Sequence, residues 1–132
     1  MFIRFIIEFK NEYDEIETGI FQALGYLIDR SGILFEYDKK HLNDIRKWFN
    51  KNLDAPNKFS KAKRKNAAKV SLSWYKSTAI EHLGKMYELK EIIERYGMVV
   101  TVLKRKNAGY VVYEDEFQIS TIPHKKDKSI TK

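Results

Sequence analysis

Residues 2–9 alternate in two registers, with Ile3, Phe5, Ile7 and Phe9 on one side and Phe2, Arg4, Ile6 and Glu8 on the other. A period of two with apolar residues on both sides predicts an inner strand. An acidic stretch, Glu12 to Glu17, comes next. Thr18 is then placed to cap a helix over 19–30, in which Ile20, Leu24, Leu27 and Ile28 recur at helical spacing and Ser31-Gly32 ends the run. The carboxylates ahead of this helix suit the positive end of its dipole. Asp38 is a good cap for a second helix over 39–53, whose stripe is Leu42, Ile45, Phe49 and Leu53 with Trp48 beside it, and Asp54-Ala55-Pro56 stops it.

Val70 to Tyr75 alternates and predicts a second strand. Thr78-Ala79-Ile80-Glu81 matches a capping box and opens a third helix over 79–96, with Leu83, Met86 and Ile93 inward and Gly97 closing it. Met98 to Leu103 reads as a Val-rich inner strand. Tyr110 to Tyr113 and Glu116 to Ile122 read as the last two strands. The order strand, helix, helix, strand, helix, strand, strand, strand predicts one α+β domain over 1–122. Its core is a mixed sheet of four or five strands with three helices on one face. The unit spanning 70–103 is expected to make its two strands parallel by a right-handed crossover.

Charge changes this picture by showing where the chain is not body. Residues 1–54 hold 8 Lys/Arg against 10 Asp/Glu, and 80–122 hold 6 against 7. Residues 55–79 hold 7 against none, and 123–132 hold 4 against 1, so the positive excess behind the formal net charge of +7 lies in these two segments. A basic loop at 55–69 and a polar, mobile basic tail at 123–132 are therefore expected on a nearly neutral body. Lysine dominates the loop through Lys58, Lys61, Lys63, Lys65 and Lys69, with Arg64 alone among them. Lysine meets phosphate as a point charge, whereas arginine reads base edges with its planar fork, so nucleic acid bound here would be bound without strong sequence preference.

Several chemistries are excluded or weak. Cysteine is absent, which removes disulfides, thiolate metal sites and a thiol nucleophile. No apolar run approaches the ~18 residues of a membrane helix. The first nine residues are broken by Arg4 and Glu8 and lack the signature of a signal peptide, so a cytoplasmic protein is expected. His41, His82 and His124 form no helical metal pair, and surface or boundary positions are expected for them. No cofactor is implied.

Four places remain as candidate sites. At the corner Trp74-Tyr75-Lys76-Ser77-Thr78 a strand passes into a helix, a setting that favours anions, and Lys76 adds charge there. Lys58, Lys61, Lys63, Arg64, Lys65, Lys69 and Lys76 are thus the candidate anion or nucleic-acid contacts. Trp74, Tyr75, Tyr110 and Tyr113 are candidate aromatic contacts for a partner. Glu114, Asp115 and Glu116 supply three consecutive carboxylates that would suit Mg²⁺ if they converged.

Four segments taken together carry a resemblance: Thr18-Gly19-Ile20-Phe21-Gln22-Ala23; Trp48-Phe49-Asn50 with Asn52-Leu53 and Pro56; Ser73-Trp74-Tyr75-Lys76; and Gly109-Tyr110-Val111-Val112-Tyr113-Glu114-Asp115-Glu116-Phe117-Gln118. In this order, across residues 1–123, the chain resembles a group of small uncharacterised bacterial proteins. The resemblance implies a bacterial or phage cytoplasmic protein and supplies no catalytic residue.

The sequence thus leads to a non-enzymatic binding module that contacts nucleic acid or an acidic protein through its Lys-rich loop. The alternatives are a metal-dependent nuclease or phosphodiesterase using Glu114, Asp115 and Glu116, and a protein-only adaptor, inhibitor or immunity protein.

Overall fold

The computed structural model describes residues 1–55 and 71–123. Most of the expected basic loop and the tail from His124 onward lie outside the described residues. Among the described residues the elements run β1 (Phe2–Ile6), β2 (Glu8–Lys10), β3 (Ile16–Thr18), α1 (Ile20–Asp29), α2 (Glu36–Asn52), β4 (Leu72–Lys76), α3 (Ile80–Arg95), β5 (Thr101–Arg105), β6 (Tyr110–Glu114) and β7 (Gln118–Ile122). The class is α+β, with a five-stranded sheet in the order β5-β1-β4-β7-β6 and a separate β2-β3 hairpin.

Every neighbouring pair in the sheet is antiparallel. The strands joined by α3, β4 and β5, do run parallel to each other, as a crossover demands. β1 lies between them and is antiparallel to both, so the sheet is not mixed. The long first strand divides at Ile7, whose carbonyl accepts from Gly19 N–H at 3.2 Å. The acidic stretch supplies β3 as the partner of β2.

All three helices pack on the face carrying Ile3, Phe5 and Tyr75, with Leu24, Leu27, Leu42, Ile45, Met86, Leu89 and Ile93 in the shared interior. The opposite face is closed differently. β5 and β6 lie at opposite edges, yet residues 106–109 alone connect them. In a flat sheet those edges stand four spacings apart, about 19 Å. The five steps from Arg105 to Tyr110 reach at most about 18 Å fully extended. The sheet must therefore coil until its edges approach, which makes the face opposite these three helices concave. That face buries a second cluster of Trp74 and Ile119 with Phe2, Leu72, Leu103 and Val111, and Ala108 from the crossing connection packs into it. Thr121 Oγ1 donates to the Ala108 carbonyl at 2.8 Å. Gly109, at φ 120°, passes so close to β7 that a Cβ would collide with the Ile122 carbonyl oxygen.

Candidate functional site

The register between β1 and β4 holds for two residue pairs only, Phe2 with Lys76 and Ile3 with Tyr75. Beyond them the strands part, and Arg4 Nη1 donates across the gap to the Ser73 carbonyl at 2.9 Å. A cavity of about 490 Å³ opens at this parting, beneath the start of α1 and the end of α2. Phe5, Ile20, Leu24, Phe49, Tyr75 and Met86 give it apolar walls, and Arg4, Gln22, Asn50 and Gln118 add polar groups. Burial pushes the Arg4 guanidinium below its ordinary pKa. It also pushes the Tyr75 phenol up, and the Tyr75 hydroxyl donates to Met86 Sδ at 3.4 Å. Trp74 is among the lining residues, is 1% exposed, and its indole N–H has no acceptor among the described residues.

A second cavity, of about 780 Å³, lies where the end of α2, the start of α3 and the β6–β7 turn meet. His82 is in its wall, only 3% exposed. Its ring lies 4.2 Å from Phe117 and 4.8 Å from Trp48, and Nε2 donates to the Asn52 carbonyl at 2.7 Å. The sequence led to a surface or boundary position for His82, and the structure buries it instead. Its burial comes from Trp48 and Phe117 arriving from two other elements, which one helix's pattern does not contain.

At the corner 74–78 the structure places the candidate residues as follows. Trp74 and Tyr75, at 1% and 8% exposed, face the two cores and offer no contact surface. Lys76 Nζ is paired with Glu114 at 2.7 Å. The capping box does not form: Ala79 takes the N-cap position without a side-chain hydrogen bond, because the turn is closed by backbone bonds from Ala79 to Lys76 and from Ile80 to Thr78. Tyr110 is exposed. Tyr113 is half-buried and donates to Asp115 at 2.8 Å; that bond, with burial, pushes its phenol up.

Glu114, Asp115 and Glu116 have separate surroundings and do not form a ligand set. Glu114 meets Lys76. Asp115 is enclosed by its own turn, accepting from Phe117 N, Gln118 N, Gln118 Nε2 and Tyr113 Oη at 2.8–3.0 Å. Glu116 stays exposed at the second cavity. Among the described residues no group of three His, Asp or Glu side chains is arranged to hold a metal ion. His41 is half-exposed, with Nε2 3.4 Å from Glu88. Lys58, Lys61, Lys63, Arg64, Lys65, Lys69 and His124 lie outside the described residues.

The described residues form a small α+β protein with cavities at the β1–β4 parting and at the α2–α3 junction. Comparison with models of known families, with curated proteins and with solved structures gives no match. Among the described residues no helix is long and apolar enough to cross a membrane.

Proposed function

We propose that the protein is a non-enzymatic binding module that engages nucleic acid through phosphate contacts from its Lys-rich segment. One observation carries this reading. Residues 1–55 and 71–123 hold 15 Lys/Arg against 17 Asp/Glu, whereas the remaining residues hold 10 Lys/Arg against a single Asp. The described residues are thus slightly acidic, and the whole positive excess belongs to 56–70 and 124–132. Lys76, the one candidate contact on the body, is already matched by Glu114.

Phosphate binding of this kind releases counterions and weakens steeply with salt. Affinity for a mixed-sequence duplex and for a single strand is to be measured across a range of salt. The expected result is similar affinity for different sequences and a log–log salt slope of up to about −5 if all six charges of 56–70 engage duplex phosphates. Replacing Lys58, Lys61, Lys63, Arg64, Lys65 and Lys69 with Gln should abolish that slope while the body stays folded. No binding at low salt, or unchanged binding by the Gln variant, overturns the reading.

A further inference from the structure

We infer that the cavity at the α2–α3 junction takes one unpaired nucleobase, a contact that a single strand gains and a duplex lacks. Trp48 and Phe117 supply the rings against which the base lies, and Lys47 and Lys51 supply charges for its flanking phosphates. This rests on the nucleic-acid reading and deepens it.

The walls come first. The cavity, of about 780 Å³, falls within the range that encloses small ligands. Trp48, His82 and Phe117 give it aromatic walls. These rings are held in place by the protein itself. The Phe117 ring lies 4.2 Å from that of His82, and the Phe117 N–H donates to Asp115 Oδ1 at 2.9 Å. His82 Nε2 donates to the Asn52 carbonyl at 2.7 Å, and Asn52 Nδ2 donates in turn to the Trp48 carbonyl at 2.8 Å. Walls already ordered lower the cost of binding. Trp48 and Phe117 are only half-buried, so ring surface stays accessible, and every base has a π-face to set against it.

The polar groups are mixed, and that decides the class of ligand. Asp54, Glu81 and Glu116 line the cavity as exposed carboxylates, while Asp115 is taken up by its own turn. The exposed three accept hydrogen bonds and keep phosphate out. The start of α3 lines the same cavity and offers donors. Ala79 caps it without a side-chain bond, and the Thr78 carbonyl accepts from Ile80 N–H at 2.9 Å. The amides of Glu81 and His82 have no acceptor within the helix, which begins at Ile80. A simple cation would suit the carboxylates and not the amides, and a simple anion the reverse. The Watson–Crick edge of a base is neutral and planar and carries both donors and acceptors. A duplex has that edge already paired, whereas a single strand presents it. The phosphates have their own partners outside the cavity. Lys47 and Lys51 stand exposed one turn apart on α2, neither held in an ion pair among the described residues, and the chain passes from Asp54 into its Lys-rich stretch beside them.

The full-length protein is to be titrated across a range of salt with a short single strand of mixed sequence, an abasic strand of the same length, and the matching duplex. The two single strands should share one salt slope, because phosphates set it. The base-bearing strand should bind at least about fivefold more tightly at every salt, the effect of one base on aromatic rings. The chain has two tryptophans, of which Trp48 lines this cavity and Trp74 is buried elsewhere. Emission should be quenched by the base-bearing strand and not by the abasic strand or the duplex, and the quench should vanish in Trp48→Phe. Phe117→Leu, which removes a ring and keeps an apolar side chain, should lower the advantage of the base-bearing strand at least about twofold and leave the slope unchanged. Equal affinity of the base-bearing and abasic strands overturns this inference, needs no variant to fold, and leaves the phosphate reading standing. A quench that survives in Trp48→Phe overturns it as well. Failure of every strand to bind at low salt overturns both readings.

Discussion

Gly19 and Gly109 share a left-handed backbone, at φ 104° and 120°, yet a side chain would meet different obstacles at each. At Gly19 the nearest group is the flexible end of Gln22, which can swing away. At Gly109 it is the Ile122 carbonyl of β7, held in the ladder with β6. Gly109→Ala should therefore cost more than about 2 kcal/mol and Gly19→Ala about 1 kcal/mol, read as urea midpoints. Equal costs would mean that the β6–β7 backbone gives way freely. Asp115 supplies a prediction in pH. Burial raises its pKa, but bonds from Phe117 N–H, the Gln118 amides and the Tyr113 hydroxyl outweigh burial and leave it below the ordinary aspartate value. A depressed folded pKa means the contribution is full above the unfolded value and is lost as pH falls through the folded one. Stability should thus decline below about pH 4, and Asp115→Asn should flatten that decline. A wild-type acid profile identical to that of the variant would show that the turn carboxylate contributes nothing.

Among the elements, the local pattern was legible and the lateral order was not. The three helices and the strands β1, β4, β6 and β7 stand near where periodicity places them, because each buries one face and each face leaves its own repeat. β5 is shifted from the expected Met98–Leu103 to Thr101–Arg105, an edge strand with no fully buried residue to mark its register. Caps were less legible. Asp38 does not cap α2: it sits buried in the first turn, engaged by the Tyr96 hydroxyl and by Arg95 Nη1 at 3.4 Å, and Phe35 takes the cap position. Glu12 and Glu17 do not serve the start of α1. They bind Arg30 just past its far end, at 2.8 and 3.1 Å. A long-range partner outbid the local role in both cases, and no local window contains such a partner. The cavity at the β1–β4 parting was hidden for the same reason, since Arg4 and Ser73 are far apart in the chain. His82 tests the junction of elements directly, since it ties the end of α2 to α3 and packs on Phe117 of the β6–β7 turn. His82→Ala should cost about 2–3 kcal/mol through the lost bond and the void among the rings of Trp48, Phe49, Tyr75 and Phe117. A change within experimental error in the urea midpoint would show that the helices hold together without it.

At the level of the whole molecule, the fold depends on a coiled sheet that, among the described residues, helices cover on one side only. Among the described residues no helix packs on the concave side, and residues 106–109 cover it by crossing from β5 to β6. Ala108 is the crossing residue that touches the Trp74–Ile119 cluster, at 6% exposed. A charge there cannot be hydrated without lifting the connection off the face, and five residue steps leave the connection no slack to lift and still reach both edges. Ala108→Glu should therefore cost at least about 3 kcal/mol and redden the Trp74 emission, read in a Trp48→Phe background. Lys106→Glu, one turn residue away and exposed, should change neither reading appreciably, because its side chain already faces water. If Ala108→Glu left the Trp74 emission blue and the midpoint unmoved, the connection would not be the seal, and something other than the sheet's own coil would keep water from Trp74.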